Sequence, residues 1–292
     1  MMSVEFPNSL WAATAPDRVM SARFTGTAET DVVVIGAGFT GLSAAIEARR
    51  RGRAVTVLEG KAVGWGASGR NNGQVIPILT SAEPDVWVSR YGDAGRRMVN
   101  LIGNSANVLF DLAREFDMQA EAEQTGWFQP AHSPGRIKLA QKRVEAWQRF
   151  GFSAELKDAR ETADLLGSDF WYGGMYNATG GHINPLALSR EMARAAEQLG
   201  AVIHEGSPVT AYERVGNEWV ITTPEGILKA RALILASNAY TGELVPGLAP
   251  RIARSVVPVL SWQMATEPVG DNLRRKIMPG RQAVSDTRGD LR

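Results

Sequence analysis

With 292 residues, 44% of them apolar and 22% charged, the chain is long enough for two connected globular domains. Its 32 basic and 31 acidic side chains leave a formal charge of +1, so no global field recruits nucleic acid or an anionic membrane. The absence of cysteine excludes disulfides, thiolate zinc sites, cysteine nucleophiles and a flavin linked through cysteine.

The opening "MMSVEFPNSLWAATAP" lacks a basic start followed by an apolar core, so no secretory signal is read there. No window holds the roughly 18 consecutive apolar residues that a membrane span needs. With the missing disulfides, this places the expected location in the cytoplasm.

Residues 31–59, "DVVVIGAGFTGLSAAIEARRRGRAVTVLE", are the most informative stretch. The apolar run Val32, Val33, Val34 and Ile35 predicts a parallel strand covered on both faces. Gly36, Gly38 and Gly41 then spell G-x-G-x-x-G: a tight turn, close backbone approach to a pyrophosphate, and close helix–strand packing. A helix starts near Phe39 and Thr40, with its free N–H groups and positive dipole end facing the phosphates. Arg49, Arg50, Arg51 and Arg53 fall at the end of this helix, where cations complement the dipole. Gly52 stops it, and Ala54 to Leu58 predicts the second strand. Glu59 ends that strand 21 residues after Gly38, at the spacing where an acid accepts from a ribose diol and repels a 2′-phosphate. The complete strand, glycine turn, helix, strand and acid predict dinucleotide binding, without choosing between NAD and FAD.

The next loop, "GWGASGRNNGQ", is longer than a sheet continuation requires. Its small residues permit close backbone approach, and its amides and hydroxyl offer donors and acceptors. That suits a ligand extending past the pyrophosphate, although a flexible surface loop has the same composition. Together, "DVVVIGAGFTGLSAAIEARRRG", "VLEG", "GWGASGRNNGQ" and "GGHINPLAL" resemble the D-amino-acid-oxidase-like family of FAD-dependent oxidoreductases. Within it, the likeness is to the gamma-glutamylputrescine oxidase branch, whose G-A-S-G-R-N-G-G-Q loop this chain departs from at Asn72. The N-terminal "NSLWAATA" is similar to that branch's aromatic entry segment. The resemblance implies that Ala67, Ser68, Asn71, Gly73 and Gln74 line the phosphates, ribityl chain or ring of FAD. Arg70 is the candidate catalytic residue, pairing a substrate carboxylate or polarising the ring, with a phosphate contact or a structural salt bridge as alternatives.

From Asp93 to Phe116, Met98, Leu101, Ile102, Leu109, Leu112 and Phe116 recur at helical spacing, as do Ile137, Ala140, Val144 and Trp147 further on. Both sets are expected to be core faces. Trp127, Phe128, Trp171 and Tyr172 are read as buried packing, with a substrate pocket as the alternative. Asn184 caps a helix that Pro185 opens; Leu188, Met192, Ala195 and Leu199 form its buried stripe, and Ala201 to His204 follows as a strand. His182 has no acid at useful spacing and is given neither a triad nor a metal role; no metal site is expected anywhere.

"PVTAYERVGNEWVITTPEGILKA" alternates like an antiparallel meander, and "RALILASNAY" is expected to add a separate buried strand. The resemblance implies that Val209 pairs with or packs near the adenine and that Ala236 and Ser237 border the cofactor. The final "QAVSDTRGDLR" reads as a strand, a turn at Thr287 to Asp290, and a second strand broken off at Leu291, as in a C-terminally truncated chain.

The expected fold is α/β, with an FAD-binding Rossmann-like βαβ domain (1–84 plus 181–250) and a β-rich mixed substrate domain (85–180 plus 251–292). The expected function is FAD-dependent oxidation of a C–N bond in a small-molecule amine or amino acid of the gamma-glutamylputrescine type. The alternatives are an NAD-dependent dehydrogenase and a truncated nucleotide- or flavin-binding protein without activity.

Overall fold

The computed structural model describes residues 6–79 and 82–288. In chain order its strands are β1 (Gly26–Ile35), β2 (Val55–Leu58), β3 (Gln74–Val75), β4 (Trp127–Pro130), β5 (Glu155–Lys157) and β6 (Gly174–Asn177). They continue as β7 (Gly181–His182), β8 (Val202–His204), β9 (Ala211–Val215), β10 (Glu218–Thr223), β11 (Gly226–Leu235) and β12 (Ala283–Val284). The principal helices are α1 (Leu10–Thr14), α2 (Phe39–Arg50), α3 (Pro84–Glu115), α4 (Pro134–Arg149), α5 (Ala159–Leu166) and α6 (Pro185–Gln198). The chain divides into two compact units.

The first unit comprises Met1–Asn72, Met118–Ala120 and Asn184–Trp262. Its six-stranded sheet has the order β8-β2-β1-β11-β10-β9. The first four strands run parallel and the last two complete an antiparallel meander. Alternate residues of β1 face opposite sides. Val33 and Ile35 join Leu58, Val209, Ile221 and Leu228 in one apolar cluster, whereas Val34 lies under α2, beside Gly41. Helix α2 packs against α6, and Ala45 on the one helix and Ala193 and Ala196 on the other are fully buried. At the α2 C-terminus, Arg49 donates to the carbonyls of Leu199 (2.8 Å) and Arg53 (2.7 Å), and Arg51 pairs with Glu47. Arg49 thus serves the chain just beyond its own helix and the C-terminal end of α6.

One expectation fails here. "RALILASNAY" does not begin a separate strand, because β11 runs unbroken from Gly226 to Leu235. It pairs with β10 from Thr223↔Gly226 to Trp219↔Ala230, and with β1 from Gly26↔Gly226 to Ile35↔Leu235. Since β1 extends back to Gly26, ten residues of partner are on offer, and the meander's last strand and the parallel return are one strand.

The second unit comprises Gly73–Asp117, Glu121–Ile183 and Gln263–Arg292. It holds a four-stranded sheet, β12-β4-β6-β5, and a ribbon of β3 and β7. Val99, Trp127, Ala140, Val144, Trp147 and Met175 form its core. Trp127 and Phe128 are buried as expected, whereas Tyr172 is exposed and Trp171 half-buried. The expected strand near the C-terminus is β12, parallel to β4. The end of the turn expected after it and the broken-off strand at Leu291 lie outside the described residues.

The buried stripe of α3 also differs from expectation. Gly92 (φ 53°, ψ −129°) breaks the helix, and beyond it Val99, Gly103, Ala106, Phe110 and Ala113 face inward. Met98 and Leu101 are exposed. Counting large apolar residues overlooked the small ones: a side chain at Gly103 would strike the Phe152 ring, so the helix turns its glycine and alanine face to the core. Leu101→Gln is therefore expected to change stability by no more than about 0.5 kcal/mol in urea unfolding, as for an ordinary surface substitution. A loss several times larger would restore the original register.

Candidate functional site

The site is built where β1 meets α2. Gly36 adopts φ +106°, and its N–H donates to the Leu58 carbonyl at 2.9 Å. A Cβ at Gly36 would stand 2.7 Å from the Ala236 carbonyl oxygen, so the turn is wedged between β2 and the end of β11. Gly38 is the N-cap of α2 but offers no side-chain cap, and no acid occupies the first helical turn. Instead Ser68, from the short 3₁₀ turn Ala67–Gly69, accepts the Phe39 N–H at 2.9 Å. The positive end of a twelve-residue helix is thus bordered by glycine backbone and one hydroxyl, the arrangement that receives an anion.

Glu59 follows β2. One carboxylate oxygen accepts the Ala37 N–H (2.7 Å) and the other the Lys61 N–H (2.8 Å). Burial pushes its carboxyl above the usual range; the backbone N–H groups oppose this, and the Glu205 charge adds to it. Glu205 is itself only 1% exposed. It accepts the Val63 N–H (2.7 Å) and the Ser21 N–H (2.8 Å), with Arg18 Nε 3.7 Å away. Burial works against the Arg18 charge, yet the surrounding carboxylates, Glu197 at 2.7 Å together with Glu205 and Glu191, more than compensate and hold Arg18 above its ordinary value. This buried acid ties the segment after Glu59 to the N-terminal arm.

A cleft open to solvent lies along these groups. From β1 and α2 it is lined by Gly36, Gly38, Phe39 and Thr40, and from the end of β2 by Glu59. Ala67 and Ser68 border it from the glycine loop, and Val209, Ala236 and Ser237 from the other side. The remaining expected residues lie elsewhere. Gly41 sits beneath the turn, its missing side chain leaving room for the Gly36 carbonyl. Asn71 pins the loop: its amide donates to the carbonyls of Ser68 (2.9 Å) and Ala67 (3.3 Å), and its own carbonyl accepts from the Trp11 indole (2.9 Å). Gly73 and Gln74 belong to the second unit, where Gly73 accepts the Ile183 N–H (2.8 Å). The Gln74 amide donates to Val284 (3.1 Å) and accepts from Ser285 (2.6 Å). Arg70 is exposed and outside the cleft; its Nε donates to the Trp65 carbonyl at 2.6 Å and its guanidinium lies 4.4 Å from the Trp65 ring centroid.

Among the lining residues that were not anticipated are two aromatics, Trp65 and Tyr240. Trp65 stands between two glycines of the loop, and a large aromatic in a run chosen for smallness was the available signal. Tyr240 carried none; it reaches the cleft through the 3₁₀ turn Asn238–Tyr240 that follows β11. His182 also gains a neighbour that spacing did not offer. Backbone pairing with Glu123 brings the Glu123 carboxylate to 3.8 Å from its Nε2, and Arg281 holds the same carboxylate at 2.7 Å.

The model of the FAD dependent oxidoreductase family matches residues 31–291. The chain belongs to that family. It is 32% identical over 88% of its length to the probable oxidoreductase OrdL of Haemophilus influenzae, and 30% identical over 97% to the gamma-glutamylputrescine oxidoreductase of Escherichia coli. It spans 60% and 65% of those two proteins' lengths. Among solved structures of similar fold, glycine oxidase from Geobacillus kaustophilus superposes with a TM-score of 0.64 at 21% identity, covering 77% of this chain and 58% of that one. L-Amino acid deaminase from Proteus myxofaciens does so with a TM-score of 0.64 at 22% identity, covering 76% and 48%. Family and fold thus agree on the α/β architecture. No helix among the described residues is long and apolar enough to cross a membrane.

Proposed function

We propose that this chain binds FAD and takes part in oxidising a C–N bond of a small amine or amino acid. The observation that carries the proposal is the convergence on one cleft of a helix N-terminus met by a single serine hydroxyl and a half-buried carboxylate. A side chain at Gly38 would stand 2.8 Å from Ser68 Oγ and displace the hydroxyl that meets the helix end. Glu59 would accept from the adenosine ribose. The backbone of Gly36 to Thr40, with Ala67 and Ser68, would hold the diphosphate, and Val209, Ala236 and Ser237 would border the bound molecule. FAD, when bound, supplies the two-electron acceptor that no side chain provides. Asn71 holds the loop in place, and Arg70 is assigned to positioning rather than chemistry because its guanidinium is engaged with Trp65.

The substrate class proposed is gamma-glutamylated amines, as in the name of the Escherichia coli relative. The test is a visible absorption spectrum before and after denaturation, followed by peroxide and acceptor-dye assays with gamma-glutamylputrescine, sarcosine, glycine and D-amino acids. Oxidised-flavin bands that leave with a small molecule, and turnover with a gamma-glutamylated amine above the others, are expected. A protein that binds NADH and no flavin would overturn the cofactor; flavin-loaded protein that turns over only free amino acids would overturn the substrate class.

A further inference from the structure

Trp65 is held from several directions. Arg70 lies over its ring at 4.4 Å while binding its carbonyl, and Lys61 Nζ is 5.6 Å from the ring centroid. Tyr240 meets it edge to face, with ring centroids 5.6 Å apart. Tyr240 is seated in turn on Gly66, where a Cβ would come within 3.0 Å of its ring. Both rings line the cleft. An indole left mobile at a solvent-open mouth would lose stacking strength to its own rotamer freedom; one clamped by two cations and an aromatic edge is already ordered. Along the chain Trp65 lies between Glu59 and Ser68, the residues placed at the ribose and the diphosphate.

Resting on the FAD reading above, we propose that Trp65 and Tyr240 form an aromatic wall that retains the adenosine half of the dinucleotide, with Arg70 as the positioning residue that sets the Trp65 ring. Arg70 then acts on the ligand only through Trp65.

The test is equilibrium binding of FAD and of ADP to the purified protein and to Trp65→Ala, Trp65→Phe, Arg70→Ala and the double variant. Thermal melts confirm that each is folded. Trp65→Ala is expected to weaken both ligands about 10-fold or more, the scale of losing one base–aromatic stack, and Trp65→Phe to recover most of the loss. Arg70→Ala is expected to weaken both about 3-fold, a cation–π contribution at an exposed site, and to add nothing in the Trp65→Ala background. Additive losses would mean that Arg70 touches the ligand itself and would overturn its positioning role. A Trp65→Ala loss seen with FAD and absent with ADP would move the wall to the flavin half and overturn the assignment. Parent protein that binds both ligands as tightly as every variant overturns the wall alone. Parent protein that binds neither removes the FAD reading and the wall with it.

Discussion

Gly41→Ala is expected to destabilise the protein by roughly 3 kcal/mol, the upper part of the range for forcing extra volume into a packed interior. The added methyl would land on the Gly36 carbonyl and stand 3.1 Å from Val34 Cγ1. Neither neighbour is free to withdraw. Gly36 is tied through its N–H to Leu58, and the adjoining Ile35 carbonyl accepts the Ala236 N–H at 2.8 Å, so the turn is fastened to both flanking strands. Relief requires α2 to lift from the sheet as a body, which also disturbs its contact with α6. Gly38→Ala makes a useful contrast, because its methyl meets the Ser68 hydroxymethyl, a side chain that can rotate away. Losing that capping bond costs about 1 kcal/mol, while the methyl still obstructs the helix end. Urea unfolding and ADP binding should therefore separate the two: Gly41→Ala loses stability first, and Gly38→Ala loses ligand with most of its stability retained. Equal midpoints for Gly41→Ala and the parent would contradict the packing.

The features that were legible in the sequence are those whose physics is local. A run of four apolar residues, three spaced glycines, a stop at Gly52 and an acid at Glu59 each constrain their own neighbourhood, and the first unit assembles around them. The Asn184 cap is similar: its side chain accepts the Ala187 N–H at 3.1 Å, as its place before Pro185 suggests. Features decided by distant partners were not legible. The length of β11 depends on how far back β1 extends, and the face of α3 depends on where Phe152 lies. Glu205 reads as an ordinary acid after a strand, yet it is buried because two N–H groups, more than a hundred residues away in sequence, require an acceptor. In the glycine loop, composition indicated close approach but could not say which residues face the cleft. Ala67 and Ser68 do, whereas the side chains of Arg70 and Asn71 are spent on holding the loop itself.

Glu59→Gln is expected to weaken ADP and FAD binding by about 10- to 100-fold, since hydrogen bonds to a charged group are worth roughly 1.5–3 kcal/mol. The carboxylate oxygens already accept from Ala37 and Lys61, and a carboxylate's roughly four lone-pair sites leave capacity for a ribose hydroxyl. A glutamine turns one of those positions into a donor, which then faces a backbone N–H. The same residue predicts a pH dependence. Burial raises the Glu59 carboxyl above its ordinary value, so in the free protein it takes up a proton at a higher pH than an exposed glutamate does. The stability cost of its buried charge is fully present above that raised value and is relieved as pH falls through it. Ligand affinity moves the opposite way, because the ionised form is the one that accepts from the ribose, and acidification should weaken binding across the same window. Glu59→Gln has no such proton to gain. Its affinity should stay flat where the parent's falls, and its stability should decline relative to the parent as pH is lowered. Parallel pH profiles for the two proteins would show that Glu59 does not titrate in this window, and equal affinities at neutral pH would place the ribose elsewhere.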